Sequence, residues 1–312
     1  MARTAYYWDA LTLEHDTGPH VECIARAERL APGEMLSLIP RLDARPVLEH
    51  DAVHWITQVH SPQYHEFVKS ACETGRRLLD EGDTVACRRS YDVAVAGVNA
   101  VLTAADALMQ GHADNAFCAM RPPGHHALPT RAMGFCFFAN VSILARFLQR
   151  VHGLEKIAIV DWDVHHGNGT QDIFYHDPSV MFVSLHQVPL WPGSGMENET
   201  GEGAGKGFTV NVPIAPGTPE SEYLKTFDAV VVPRLTTYKP DAILISAGFD
   251  AHRDDPLGGL MLTEAGFAQM TQRLREIADR HCDGRLISCL EGGYNLPALQ
   301  GSVAAHVNAL GD

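Results

Sequence analysis

The sequence predicts a single α/β domain in which a central, mostly parallel sheet is covered by helices on both faces. Short apolar runs with the length of buried strands alternate with longer stretches that have the spacing of amphipathic helices. No linker, low-complexity segment or internal repeat divides the 312 residues, and this length suits one large domain. We therefore interpret residues 1–312 as a single domain with the size of a catalytic domain.

Six segments are strand candidates because they are short and continuously apolar, as strands buried on both faces are. They cover residues 115–120, 156–161, 180–185, 208–213, 241–248 and 285–293. Helix-like stretches occupy residues 93–110, 139–152, 220–238 and 263–281. This alternation is typical of a parallel sheet, in which each helix returns the chain to the edge where strands begin.

The charge of the chain disfavours some classes of partner. Asp and Glu number 38 against 24 Lys and Arg, which gives a formal net charge of −14. Such a surface binds the phosphates of nucleic acids poorly and attracts cationic substrates, although the charge also fits a role in solubility alone. No apolar run reaches the length of a membrane-spanning helix, so we expect neither a nucleic-acid nor a membrane partner.

The cysteines and the N-terminal segment indicate a reducing compartment. The seven cysteines include no CxxC pair, and Cys118 and Cys289 lie inside apolar runs, as buried free thiols do. The first residues, "MARTAYYWDALTLEHD", contain neither a basic start nor the apolar core of a secretion signal. We expect a cytoplasmic protein.

Polar segments follow five of the predicted strands. They read "RPPGHHALP", "DWDVHHGNG", "HQVPLWPGSG", "GFDAHRDDP" and "EGGYN". Ligands of open parallel sheets bind in a crevice at the carboxyl ends of the strands. We therefore expect these five segments to line one shared crevice.

Two acids and a histidine in these segments suit a metal ion. Asp163 and His165 are two residues apart and point the same way on extended backbone, and Asp250 is the best candidate for a third ligand. This set suits Zn²⁺ with an open position for water, although ordinary loop hydrogen bonds remain the alternative. Asp161 shares the same side but would crowd one ion, so it more plausibly orients a histidine or binds a monovalent cation.

A histidine pair and a tyrosine supply candidate catalytic groups. His125 and His126 follow a Pro-Pro-Gly turn, and histidine is the usual general acid or base near neutral pH. Tyr294 follows two glycines, which allow its phenol to approach a ligand and stabilise an oxyanion. In contrast, we expect His166 to face away from its neighbour His165 and to be structural.

These motifs together resemble the zinc-dependent histone deacetylase family. The resemblance rests on "RPPGHHA", "MGFCFFANVSI", "VDWDVHHGNGTQDIF", "SAGFDAHRDDPLGG" and "LEGGYN", which occur in the family's order between about residues 15 and 295. The wording of the third and fifth motifs is similar to the class II branch. The superfamily includes bacterial acetylpolyamine amidohydrolases, and the resemblance implies the fold shared by arginases and deacetylases.

The resemblance implies a role for each catalytic position. The positions that match the zinc ligands are Asp163, His165 and Asp250. His126 matches the general base that later acts as acid, while His125 matches an electrostatic partner paired with Asp161. Asn168 stands where the partner of the second histidine lies, and Tyr294 matches the tyrosine that binds the substrate carbonyl.

The resemblance also implies a potassium site and a tunnel for the acyl-lysine chain. The match to the inner potassium site comprises Asp161 and Ser184, with the backbone carbonyls of Asp163, His165 and Leu185. The tunnel positions are Gly134, Phe135 and Trp191, with Leu257 at the rim and Asp83 as a rim acid that holds the substrate backbone.

The implied reaction is hydrolysis of an acylated amine by metal-activated water, without a covalent acyl-enzyme. Acetyl-lysine in peptides, acetylated polyamines and other small amides fit this description, and a homo-oligomer is an open expectation. Leu257 occupies the place of the acidic gatekeeper of polyamine specialists, which argues against polyamines. Some bacterial polyamine enzymes use other acids, however, and Glu22 or Asp83 could serve here. The segment from His20 to Leu30, which shapes one rim of the tunnel in the family, lacks the prolines of the family pattern.

Two alternatives stay open at this point. A binuclear manganese ureohydrolase shares the fold, and "FDAHRDDP" is similar to its second metal motif. However, His252 replaces the motif's aspartate, and the histidine pair is not a ureohydrolase feature. The second alternative is a metal-bearing module that binds acyl-lysine or polyamine without turnover.

Overall fold

A computed structural model describes residues 2–312 and contains one eight-stranded sheet in which all paired strands are parallel. The strands are β1 (Thr4–Tyr7), β2 (Asp43–Arg45), β3 (Asn115–Cys118), β4 (Ile157–Asp161), β5 (Val180–Gln187), β6 (Thr209–Ile214), β7 (Ala242–Ala247) and β8 (Leu286–Leu290). Their spatial order is β2-β1-β3-β8-β7-β4-β5-β6. The three strands β8, β7 and β4 therefore lie in the interior of the sheet.

Ten α-helices in the described chain cover this sheet. They are α1 (Ile24–Arg29), α2 (Pro32–Met35), α3 (Ala52–Ile56), α4 (Pro62–Thr74), α5 (Ser90–Met109), α6 (Asn140–His152), α7 (Asn168–Phe174), α8 (Glu220–Tyr238), α9 (Glu264–His281) and α10 (Leu296–Gly311). Two short 3₁₀ helices, Ala10–Glu14 and Gly203–Gly205, complete the regular structure.

Side-chain alternation along the central strands divides the apolar interior into two layers. In β4, Ala158 and Val160 belong to the core on one face of the sheet, whereas Ile157 and Ile159 belong to the core on the other. Successive residues of a strand point to opposite faces, so a continuously apolar segment is what a sheet covered on both sides requires. The predicted parallel α/β architecture is confirmed.

All six predicted strands and all four predicted helices are present, and the structure adds two strands at one edge. β1 and β2 were not predicted because they span four and three residues, too short for a periodic pattern. β2 also has the sequence Asp-Ala-Arg, which carries charges suited to an edge strand.

Helix α5 is the one helix in the described residues that is long and apolar enough to cross a membrane. Within the fold it is a core helix, since 67% of its most apolar window is buried. It packs against α6 and β3. Its apolar composition is thus accounted for by the interior of the domain.

Candidate active site

The polar segments after the strands converge on one cavity of about 550 Å³. Three of the predicted catalytic or metal-binding side chains line it: His126, His165 and Tyr294. All five predicted tunnel or rim residues line it as well: Asp83, Gly134, Phe135, Trp191 and Leu257. Sequence reasoning did not single out four further lining residues, which are Pro19, His20, Val21 and Leu190.

Asp163, His165 and Asp250 form a compact trio next to this cavity. Nδ1 of His165 lies 3.0 Å from Oδ1 of Asp163 and 3.2 Å from Oδ2 of Asp250. One ligand atom from each residue lies within 4.8 Å of the other two. The structure therefore brings together three groups that are up to 87 positions apart in the sequence, from Asp163 to Asp250.

Backbone groups hold the two carboxylates in place. Asp163 accepts hydrogen bonds from the N–H of His165 at 2.9 Å and of Gly292 at 2.8 Å. Asp250 accepts one from the N–H of Val164 at 2.8 Å. A Cβ atom on Gly292 would lie 2.1 Å from the Asp250 carboxylate, so only glycine allows the loop after β8 to approach this closely.

The electrostatics of the trio favour a bound cation. Burial and the charge of Asp163 raise the pKa of Asp250 to about 7. Burial disfavours the charged form of His165, but hydrogen bonds to Asp163 and Asp250 outweigh it and raise the pKa of this histidine to about 10. Two buried acids thus compete for one positive partner. Two oxygens and one imidazole nitrogen within reach of one another also fit the ligand preference of Zn²⁺.

The adjacent histidines have different partners. Nδ1 of His125 lies 2.9 Å from Oδ2 of Asp161, and Nδ1 of His126 lies 2.7 Å from Oδ1 of Asn168. The two ring centroids are 3.9 Å apart. These are the pairings that the family resemblance implied, with a carboxylate behind one ring and a neutral amide behind the other.

These partners separate the pKa values of the two histidines. Burial opposes protonation of His125, but the charges of Asp161 and Asp163 outweigh it and raise its pKa. Burial and the positive charge of His125 lower the pKa of His126. These opposite shifts favour the charged form of His125 and the neutral form of His126, which is the form that can accept a proton.

Tyr294 is positioned by contacts on both sides of its ring. Its backbone N–H donates to Asp255 at 2.7 Å, and its ring meets Phe135 edge-on at 5.9 Å between centroids. The guanidinium of Arg26 lies 4.9 Å from the ring centroid. Burial raises the pKa of Tyr294, so its phenol stays protonated and able to donate a hydrogen bond.

Three of the residues predicted to bind potassium, Asp161, Ser184 and Leu185, do not line the cavity. Asp161 on β4 is paired in register with Ser184 on β5, and Leu185 follows it. Asp161 also accepts the N–H of Asp163 at 3.1 Å. The donors at this place are oxygen atoms, which suits a hard monovalent cation.

The wall of the cavity depends on an unusual backbone conformation. Gly134 and Phe135 both have positive φ angles, of 56° and 68°. A Cβ atom on Gly134 would lie 2.5 Å from the ring of Trp191 and 2.6 Å from that of His126. The Phe135 N–H donates to Oγ1 of Thr84 at 3.1 Å, which attaches the wall to the loop that carries Asp83.

One alternative from the sequence is wrong: Glu22 cannot supply an acid to the rim of the cavity. Its side chain is fully buried and forms ion pairs with Arg26 and Arg121. These two arginines neutralise it, and the charge of Arg121 outweighs burial and lowers the pKa of Glu22. Asp83 remains the one carboxylate among the cavity-lining residues that the structure describes.

Sequence reasoning missed this buried network, which connects three loops. Arg26 bonds to Glu22 at 3.0 Å and to the carbonyl of Gly293 at 2.7 Å. Arg121, in the "RPPGHH" motif, meets the same glutamate. The available signal was a pair of charged residues four apart, Glu22 and Arg26, which favours a helical ion pair but says nothing about burial.

His166 lies outside the cavity lining, as expected. Its ring nitrogens meet Oγ of Ser194 at 2.8 Å and Oε1 of Gln171 at 3.1 Å. The side chain is buried, and burial lowers its pKa to about 3. It therefore remains neutral and connects the loop of Ser194 to helix α7.

Comparisons with a family model and with known proteins point to the same family. The model of the histone deacetylase domain matches residues 20–310. A probable deacetylase of Archaeoglobus fulgidus is 42% identical, over 77% of this chain and 66% of its own. The histone deacetylase-like amidohydrolase of Pseudomonas aeruginosa is 36% identical over 94% of this chain and 82% of its own.

A solved structure agrees with these relatives. The crystal structure of the HD domain of HDA15 superposes with a TM-score of 0.90 at 35% identity, and it covers 99% of this chain and 88% of that one. The fold is thus that of the arginase and deacetylase class. The chain belongs to the histone deacetylase family of hydrolases.

Proposed function

We propose that the chain is a zinc-dependent amidohydrolase that removes acetyl or other short acyl groups from an acylated amine. The observation that carries the proposal is the trio of Asp163, His165 and Asp250 beside a cavity lined by His126 and Tyr294. A metal site, a neutral base and a phenolic donor are the three parts that amide hydrolysis by activated water needs. The family membership supports the same reaction class.

In this proposal Asp163 and Asp250, through their carboxylates, and His165, through Nδ1, would hold Zn²⁺. Bound there, the ion would lower the pKa of a water molecule and polarise the acyl carbonyl. The donor set leaves a side open toward the cavity, since His165 lines it. A structural zinc site would instead be closed by a fourth protein ligand.

The two histidines have different parts in the proposed proton transfer. His126 is neutral and lines the cavity, so it takes a proton from the attacking water and later returns one to the leaving amine. Asn168 fixes the orientation of its ring through Nδ1. His125, held as a cation by Asp161, keeps the pKa of His126 low so that the base remains free.

Tyr294 stabilises the negative charge that develops on the acyl oxygen. Its raised pKa keeps the hydroxyl protonated, and a protonated phenol can donate to an oxyanion. Arg26 and Asp255 hold the residue from two sides, which provides the preorganisation that such a donor requires. The Asp161 and Ser184 oxygens are the proposed ligands of a structural K⁺ beneath the site.

The lining of the cavity favours an acylated lysine side chain over an acylated polyamine. Phe135, Trp191 and Leu257 supply apolar surface for a methylene chain. Among the described lining residues the single carboxylate is Asp83, whereas a polyamine carries additional ammonium groups that need acidic partners. Asp83 is proposed to accept backbone N–H groups of a peptide.

The seven free cysteines support the proposed cytoplasmic location.

A substrate panel tests the proposal. Zinc-loaded protein is incubated with acetyl-lysine peptides, acetylspermidine, acetylputrescine and peptides with longer acyl groups, with and without a chelator. We expect hydrolysis of the acetyl-lysine peptides, loss of activity with chelator and recovery with added Zn²⁺. A zinc-loaded protein that hydrolyses nothing in the panel would contradict the proposed reaction, and two Mn²⁺ per chain would favour the ureohydrolase alternative.

A further inference from the structure

Glu291 is a fully buried carboxyl group that the mechanism above does not use. It follows β8 directly and precedes Tyr294 by three residues, in the motif "LEGGYN". Its main chain is fixed on both sides, because its N–H donates to the carbonyl of Ala247 and its own carbonyl accepts from Arg26. Its side chain therefore has a defined direction.

That side chain points to the turn that begins the histidine pair. Oε2 accepts hydrogen bonds from two consecutive backbone groups, the N–H of Gly124 at 2.6 Å and the N–H of His125 at 3.1 Å. The turn is confined from the other side, since a Cβ atom on Gly124 would lie 2.6 Å from the carbonyl oxygen of Phe138. One carboxylate oxygen thus holds the N–H side of the His125 backbone, while the N–H groups of Gly169 and Thr170 bond to its carbonyl.

The second carboxylate oxygen of Glu291 lowers the stability of the fold. Oε1 of Glu291 is buried and has no hydrogen-bond partner among the described residues. A buried acid with an unpaired oxygen destabilises a protein, and an apolar side chain would be the ordinary choice at the end of a central strand. Such costly groups concentrate where they serve a functional site.

We propose that Glu291 is a positioning residue for catalysis: it ties the loop of the histidine pair to the loop of Tyr294 by accepting the two N–H groups. The inference rests on the proposed function, because it assigns Glu291 a part in the same reaction. What matters in this role is the reach of the acceptor oxygen and not the negative charge. His125 and His126 would shift relative to Tyr294 if that oxygen were lost.

Two conservative variants separate reach from charge. Glu291→Gln keeps an acceptor oxygen at the same distance and loses the charge. Glu291→Asp keeps the charge but withdraws the oxygen by one methylene. We expect Glu291→Gln to retain kcat within about threefold and Glu291→Asp to lose about 10- to 100-fold, since a displacement near 1 Å of a catalytic group has effects of this size.

The measurements are kcat and KM on the wild type's best peptide, together with zinc content. Support requires that the loss in Glu291→Asp falls on kcat while KM and one zinc per chain are retained. A Glu291→Asp variant within threefold of wild type, a loss confined to KM, or a Glu291→Gln variant below a tenth of wild-type kcat would each overturn the inference. If Glu291→Asp does not fold, the result for Glu291→Gln decides alone. A wild type without turnover instead overturns the proposed function itself.

Discussion

At the scale of single residues, the site depends on two adjacent histidines whose pKa values are shifted in opposite directions. A carboxylate lies behind the ring of His125 and an amide behind that of His126, while burial and the charge of His125 lower the pKa of His126. An amide orients a ring without supplying a charge, so it leaves the pKa of the base low. A charged side chain at residue 168 would therefore change the pH range in which His126 can accept a proton.

This predicts a shift in the pH profile of Asn168→Asp. A carboxylate beside Nδ1 favours the imidazolium and raises the pKa of His126, and an opposite charge at this range shifts a pKa by about one unit or more. Because the base must be neutral, the acidic limb of kcat/KM should move to higher pH by about that amount. Asn168→Ser serves as the uncharged control, and an unmoved acidic limb in Asn168→Asp would remove His126 from the role of base.

A second prediction concerns Tyr294. Replacing it by phenylalanine keeps the ring contacts with Phe135 and Arg26 but removes the hydroxyl donor. We expect kcat to fall about 10²-fold or more with little change in KM, as for the loss of one oxyanion donor. Zinc content and thermal unfolding should match the wild type. Near wild-type turnover in Tyr294→Phe would exclude the residue from the mechanism.

At the scale of elements, the sequence predicts those strands and helices that are specified by the residues of the segment itself. The apolar run of β4 and the acids and histidines that follow it specify a buried strand that ends at a polar crevice. β1 and β2 lack this signal because they are short, and pairing with a neighbour defines them. The contacts of Arg26 were equally hidden, since its partner Gly293 is 267 positions away.

The loop that supports Phe135 gives a prediction at this scale. Thr84 is buried. Its hydroxyl accepts the N–H of Phe135 in the cavity wall and donates to Asp80, so it connects that wall to the loop that carries Asp83. Thr84→Val conserves volume but leaves the Phe135 N–H unpaired, at a cost of about 1–3 kcal/mol. We expect KM for the acyl peptide to rise about tenfold. Thr84→Ser keeps the hydroxyl and should behave as wild type; equal KM values for the two variants would contradict the link.

At the scale of the whole molecule, a buried ion network joins segments that are distant in sequence. Glu22 forms ion pairs with Arg26 and Arg121, and its pKa is lowered because the charge of Arg121 outweighs burial. A group with a lowered folded pKa contributes stability above its unfolded pKa, near 4.3, and loses it as the pH falls toward the folded value. This network should therefore weaken the fold in acid.

Glu22→Gln tests that network. The substitution leaves two buried guanidinium groups without their counter-ion, which typically costs about 3–5 kcal/mol. We expect urea unfolding at pH 7 to show a loss of this size, and a smaller difference from wild type at pH 3. Glu14→Gln, which breaks an exposed pair with Arg89, is the control and should change the free energy of unfolding by less than about 1 kcal/mol. Equal effects of the two variants would contradict a special role for the buried network.

The way in which the cavity entrance is built affects how the substrate preference of this protein can change. The trio of Asp163, His165 and Asp250 follows the interior strands β4 and β7, whereas the entrance is assembled from loops around Val21, Asp83, Trp191 and Leu257. Val21 and Trp191 are 39% and 46% exposed, although one edge of Trp191 meets the ring of His126. Substitutions in the entrance loops can therefore change the substrate preference, by evolution or by engineering, while the hydrolytic centre is inherited unchanged.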